Sequence, residues 1–231
     1  MIRISNLTKK YGDAVIFSDL NYTFEDSCIY GLVGKNGVGK TTLLNALANY
    51  DKKYTGDVIV DGKIMNKVDF LDMPVAYAMD QPSFFNELTV YENLLLIASS
   101  RRMKKQEAFD KINQLLEGLE LKKYENHSPL ELSKGTVQRF NNACAIIQRE
   151  KITLFDEPFS GLDPVQMHLL EKILVEFHRQ IAGTYIVSSH DIESLQNICD
   201  KCVLLHNGEL REINMEQVDR DEIMQILSSE E

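Results

Sequence analysis

Gly34-Lys35-Asn36-Gly37-Val38-Gly39-Lys40-Thr41-Thr42 decides the fold of this chain. It is a complete G-x-x-x-x-G-K-[ST] phosphate loop, preceded by the apolar run Cys28-Ile29-Tyr30-Gly31-Leu32-Val33 and followed by Leu43-Leu44. That order predicts a strand, a glycine-rich loop and a helix opening at Lys40. The glycines let the backbone wrap around phosphate oxygens. Inward N–H groups and the positive end of the helix dipole make an anion site, to which Lys40 adds a point charge for the β and γ phosphates. Thr41 then holds Mg²⁺ through its hydroxyl. The motif predicts binding of a nucleoside triphosphate, and alone it leaves kinases, GTPases, helicases and transport ATPases open.

Outward from the loop, strand-like segments at 28–33, 74–79, 151–155, 184–188 and 202–206 alternate with helices from 40, near 136–149, from 164 and from 191. This alternation predicts an α/β fold with a mainly parallel sheet covered on both faces. Residues 2–7, 15–17 and 21–24 read as short antiparallel strands, and Asp61-Gly62 marks a hairpin after Asp57-Val58-Ile59-Val60, so an antiparallel β flank sits beside the core. Between Gln81 and Leu132 the pattern turns helical, with a capping box at Thr89-Val90-Tyr91-Glu92 and apolar residues at helical spacing over 104–119. The expected organisation is one domain over 1–231, with the core and β flank at 1–81 and 133–231 and a helical subdomain at 82–132. Asp163-Pro164 places a capping carboxylate before a proline at the first helical position. Asn207-Gly208 suits a type I′ turn, and 215–228 reads as a last helix.

Composition narrows the function. The 231 residues are 44% hydrophobic, ordinary for a soluble α/β domain. No run approaches membrane-spanning length, and Met1-Ile2-Arg3-Ile4-Ser5-Asn6 alternates like a strand rather than a signal peptide, so a cytoplasmic location is expected. A net charge of −10 argues against binding a nucleic-acid backbone, and the one basic cluster, Arg101, Arg102, Lys104 and Lys105, is too short to reverse that. The cysteines at 28, 144, 199 and 202 suit reduced thiols, and the single C-x-x-C at 199–202 offers a metal too few ligands.

A second constellation lies downstream. Ile152-Thr153-Leu154-Phe155-Asp156-Glu157 is an apolar strand ending in two carboxylates: Asp156 can hold Mg²⁺ and Glu157 can polarise a water for in-line attack on the γ phosphate. Leu132-Ser133-Lys134-Gly135-Thr136 stands at a helix start, where a hydroxyl and bare N–H groups can meet an anion. Ser160-Gly161-Leu162-Asp163 and then Ser188-Ser189-His190-Asp191 follow.

With these motifs in this order, the chain resembles the nucleotide-binding subunit of a bacterial ATP-binding-cassette (ABC) transporter over nearly its whole length. The resemblance implies a cassette binding ATP and Mg²⁺, with Gly34, Lys35, Asn36, Gly37, Val38, Gly39, Lys40, Thr41 and Thr42 around the phosphates. It makes Tyr11 the aromatic that stacks adenine, worth roughly 1–3 kcal/mol. It makes Gln81 a ligand to Mg²⁺ or the attacking water, Glu157 the general base, and His190 and Lys40 the stabilisers of the transferring phosphoryl group. Two cassettes then meet head to tail, each ATP held between one phosphate loop and the partner's Ser133 and Gly135, with Asp163 joining the sites. Opening and closing drive a separate membrane permease, which holds the cassette at the inner face of the cell membrane.

This chain departs from the family's Leu-Ser-Gly-Gly-Gln at Lys134 and Thr136. Thr136, shorter than glutamine, is expected to lose a hydrogen bond to the nucleotide and slow turnover. Lys134 resembles cassettes paired with small exporter-type permeases handling drugs or antimicrobial peptides, which implies export. Pro82-Ser83-Phe84-Phe85-Asn86-Glu87-Leu88 either presents apolar surface to the permease or packs the helical lobe. A non-transport cassette acting as an ATP-dependent switch or scaffold is the alternative function.

Overall fold

The structure, a computed structural model, describes residues 1–69, 72–190 and 192–213. The chain opens with a hairpin, β1 (Ile2–Tyr11) and β2 (Ala14–Phe24), then runs through β3 (Ile29–Val33) into α1 (Lys40–Leu47). β4 (Thr55–Val60) and β5 (Lys63–Ile64) follow, then β6 (Val75–Ala78), α2 (Val90–Ser100), α3 (Lys105–Gly118) and α4 (Lys134–Ile146). β7 (Ile152–Asp156), α5 (Pro164–Ile181), β8 (Thr184–Ser188), α6 (Ile192–Ile198), β9 (Lys201–His206) and β10 (Glu209–Ile213) complete the described elements. The expected last helix at 215–228 lies outside the described residues.

Two sheets form, in the orders β2-β1-β4-β5 and β10-β9-β3-β8-β7-β6. The smaller is antiparallel throughout; in the larger, β9, β3, β8, β7 and β6 are parallel and β10 is antiparallel to β9. This is the α/β architecture with a parallel core and antiparallel flank that the sequence predicts. Side chains of β3 alternate: Ile29 and Val33 enter one apolar cluster, Tyr30 and Leu32 the other, so both faces are buried. Leu43, Leu44 and Leu47 of α1 share the second cluster with Ile2, Phe17 and Val58 of the small sheet. Leu94, Ile112, Phe140, Leu174 and Leu195, from α2 to α6, fill the first. The phosphate-loop helix is thereby wedged between the sheets, and the carboxyl ends of β3, β6, β7 and β8 converge where ligands bind in parallel sheets.

One expectation is corrected. Residues 15–17 and 21–24 belong to a single strand, not two. Asp19 takes a left-handed φ of 54°, its N–H donates to Thr8 Oγ1 at 3.0 Å, and Asn6 N–H donates to Asn21 Oδ1 at 2.9 Å. Side chains thus satisfy the bulges, and pairing continues through register shifts. Both predicted two-residue turns form, with Asp61 and Gly62 at φ 48° and 78° and Asn207 and Gly208 at 48° and 75°.

Candidate nucleotide site

Gly39 caps α1 at φ 111°, and a Cβ there would stand 2.7 Å from Ile16 Cγ2, so conformation and space both demand glycine. The helix has no side-chain cap, which leaves the N–H groups of its first turn for an anion. Lys40 is buried, and its Nζ donates to the carbonyls of Gly34 at 2.8 Å and Lys35 at 3.3 Å. These bonds fold the lysine over the loop. The cavity in front, about 270 Å³, is lined by residues 35–37 and 39–42, Asp80, Asp156 and Glu157.

The two carboxylates ending β7 are held differently. Asp156 is 1% exposed; Ser188 Oγ donates to its Oδ1 at 2.7 Å and Tyr77 Oη to its Oδ2 at 3.4 Å. Burial first, and then the Asp156 charge, push the Tyr77 phenol pKa far up, so this donor stays protonated. Glu157 has a left-handed φ of 49°, an outlier for a residue with a side chain. Three contacts hold it: its N–H donates to Ser188 Oγ at 3.0 Å, its carbonyl accepts from Gln138 Nε2 at 3.3 Å, and its Oε2 is hydrogen-bonded to His190 Nδ1 at 2.9 Å. Its other oxygen lies 3.6 Å from Lys40 Nζ. The surroundings over-determine this conformation, as at strained functional positions generally.

The remaining sequence-predicted residues lie elsewhere. Gln81 is exposed and outside the cavity wall; its neighbour Asp80 is in it. β6 ends at Ala78, and the second residue beyond it reaches the cavity. Ser188 and Tyr77 are site residues that the sequence motifs do not mark: in Ser188-Ser189-His190 the motif points to the histidine alone. Ser188 pairs in register with Asp156, which a strand-alignment argument could have found.

Ser133 and Gly135 do not line the cavity of their own chain. Ser133 caps α4, its Oγ 2.9 Å from Thr136 Oγ1, and a Cβ on Gly135 would stand 2.9 Å from Gly161 O. Thr136 is 1% exposed, with its hydroxyl also 3.4 Å from Arg139. It faces its own chain. Asp163 Oδ1 caps α5, accepting from Val165 N at 3.0 Å and Gln166 N at 2.9 Å. Tyr11 is half exposed at the end of β1, with its Oη 3.1 Å from Asp51 Oδ2 and Lys9 Nζ 4.4 Å from its ring centroid. Phe84 packs on Phe140 with centroids 4.5 Å apart, whereas Phe85 is exposed.

The donors around the cavity suit Mg²⁺: the Thr41 hydroxyl and the Asp156 carboxylate are hard oxygens, and Asp156 is already oriented by Ser188. Among the described residues no group of three His, Cys, Asp or Glu side chains could hold a metal by itself. The other ligands would come from phosphate and water, the usual habit of Mg²⁺.

Comparison with known proteins agrees with this geometry. The sequence profile described as ABC transporter matches residues 17–160. An uncharacterized ABC transporter ATP-binding protein of Methanocaldococcus jannaschii is 33% identical over 207 residues, 90% of this chain and 74% of that protein. The tungstate uptake system ATP-binding protein of Peptoclostridium acidaminophilum is 30% identical over 211 residues, covering 91% and 97% respectively. A dimeric ATP-binding cassette solved in a post-hydrolysis state bound to ADP and Pi superposes with a TM-score of 0.83 at 26% identity, over 93% of this chain and 99% of that one. Export, implied by Lys134, finds no support here: of these two relatives, the one whose name gives a direction is an uptake system.

Proposed function

The chain belongs to the ABC transporter family and is an ATP-binding ATPase of that family, and from this premise we propose that it closes head to tail on ATP with a second cassette to drive a separate membrane permease. One observation carries the proposal: the phosphate cavity and its carboxylates are complete within one chain, whereas Ser133 and Gly135 stand outside it. A second copy can bring those donors to the γ phosphate. Cleavage of that phosphate then removes the group that holds the copies together.

Each residue has a task. The loop N–H groups and Lys40 bind the phosphates. Thr41 and Asp156 would hold Mg²⁺, which would supply positive charge against the phosphates. Glu157 takes the proton of the attacking water, and His190, hydrogen-bonded to Glu157, orients that base and donates to the transferring phosphoryl group. Tyr11 stacks the adenine on the ring face away from Lys9. Asp163 couples the two sites.

Among the described residues no helix is long and apolar enough to cross a membrane, which supports a separate membrane partner. A groove of about 400 Å³ between α1, β6 and α2, lined by Tyr50, Met73, Tyr77, Met79 and Ile97, is the docking place for it. Residues 82–132, beside this groove, act as a helical subdomain. Direction of transport is a property of the permease, because the same ATP chemistry serves import and export.

The test is affinity isolation of the Glu157→Gln chain from native membranes with Mg-ATP, followed by mass spectrometry. A polytopic membrane protein in stoichiometric amount is expected. Recovery of soluble proteins alone would overturn the transporter reading in favour of a regulatory cassette.

A further inference from the structure

Thr136 stands where it can decide which way the Ser133 proton points. It lies buried in the first turn of α4, and three side chains meet its Oγ1: Ser133 Oγ at 2.9 Å, Arg139 Nη2 at 3.4 Å and the hydroxyl of Tyr124. A guanidinium has only donors, so Thr136 accepts from Arg139. Arg139 is itself buried and fixed, donating through Nη1 to Leu119 O at 2.6 Å. The Tyr124 oxygen is hydrogen-bonded to the Lys123 ammonium, another pure donor, which leaves the phenolic proton for Thr136. A hydroxyl oxygen has two lone pairs, and these two donors fill those of Thr136. Its single proton then goes to Ser133 Oγ.

The same count continues at Ser133. Its oxygen accepts from the Thr136 hydroxyl and, at 3.4 Å, from the Thr136 N–H, so both of its lone pairs are taken. Ser133 is exposed, and among the described residues its own O–H meets no acceptor. Resting on the head-to-tail reading above, we propose that Thr136 is a positioning residue, which holds Ser133 as a donor only, turned toward a phosphate oxygen of the nucleotide on the second copy. With the proton order reversed, Ser133 would spend its O–H on Thr136 and present lone pairs to the phosphate, itself an acceptor.

The experiment measures dimerisation of the full chain by light scattering in Mg-ATP, in a Glu157→Gln background that slows turnover. Thr136→Val, which keeps the shape and removes the hydroxyl, should raise the dimer dissociation constant about tenfold, and Thr136→Ser should return it to the parent value. Ser133→Ala should weaken the dimer as well. Adding Thr136→Val to Ser133→Ala should cost nothing more, because the residue through which Thr136 acts is gone; a purely structural threonine would weaken both backgrounds alike. Tyr124→Phe, at a partly exposed position, repeats the comparison without touching the core, and should weaken the dimer only where Ser133 is present. Thr136→Val dimerising like the parent, or losing affinity equally in both backgrounds, overturns the proposal while head-to-tail closure stands. A parent that stays monomeric in Mg-ATP overturns the closure itself.

Discussion

Two helix starts of this chain are built from similar residues and prepared for opposite situations. At α1 the cap is Gly39, no side chain serves the first N–H groups, and Lys40 and two strand-end carboxylates surround the opening. At α4 the cap is Ser133, whose hydroxyl already serves Thr136, and Gly135 lies against Gly161 of the same chain. A helix dipole attracts anions at both places, but at the second the Thr136 N–H is already taken by the Ser133 hydroxyl. The first binds alone. At the second, the Ser133 hydroxyl accepts the cap bond from Thr136 N–H at 3.4 Å and keeps its own O–H as a donor for a phosphate oxygen. On the proposed function, one end of the molecule holds ATP and the other meets it only across a dimer.

The most severe test of this contrast is Glu157→Gln. Steady-state turnover should fall by about 10²–10⁴-fold while Mg-ATP affinity survives, and light scattering should show a dimer accumulating. Unchanged turnover would remove Glu157 as the base. Lys40→Ala attacks the end that binds alone: calorimetry should show ATP affinity reduced by about 10²-fold, because a buried charge facing phosphate is lost. Gly135→Ala probes the waiting end. Its new methyl meets Gly161 O, so turnover should drop by about tenfold with ATP affinity of the single chain intact; a matching loss of affinity would merge the two regions.

Thr136→Gln sharpens the same boundary. Since Thr136 is buried against Ser133 and Arg139, the larger side chain should cost about 1–3 kcal/mol in denaturant unfolding and raise no activity. The smallest effect belongs to Asp51→Asn, beside the Tyr11 ring. Burial raises the Asp51 pKa, but the hydrogen bond from Lys9, with help from Lys53 N–H and Tyr11 Oη, outweighs it and holds the carboxyl below its ordinary 3.8. Its stabilisation, about 1 kcal/mol after solvent screening, is therefore complete above pH 3.8 and lost as pH falls through the lowered folded value. Melting of parent and variant should differ by a constant amount down to that pH and converge below it.

Much of this was legible before any coordinates. Strand ends could be placed because β3, β7 and β8 are short apolar runs stopping at glycine, acid or histidine, and the capping box at Thr89 forms as its spacing predicts. Element identity follows from period and punctuation, which are local. What the sequence leaves open has a different cause. Asp80 and Gln81 are both polar residues after the same strand, and which one lines the cavity depends on where β6 ends and on Asn141 reaching Met79. Thr136 sits within a motif of surface residues, yet the phase of α4 turns it inward toward Arg139. Asp19 reads as a strand break until Thr8, across the hairpin, takes its N–H.

The sequence by itself determined the parallel α/β core, the phosphate loop and the order of motifs that identifies the ATPase family, because these rest on hydrophobic period and on residue chemistry at fixed spacing. Only the tertiary structure decided which polar neighbour lines the cavity, that Ser188 and His190 fix the paired carboxylates, and that the start of α4 lies outside the cavity. Those outcomes depend on strand register, helix phase and the close approach of distant backbones, and free energies of a few kcal/mol spread over many contacts select among them.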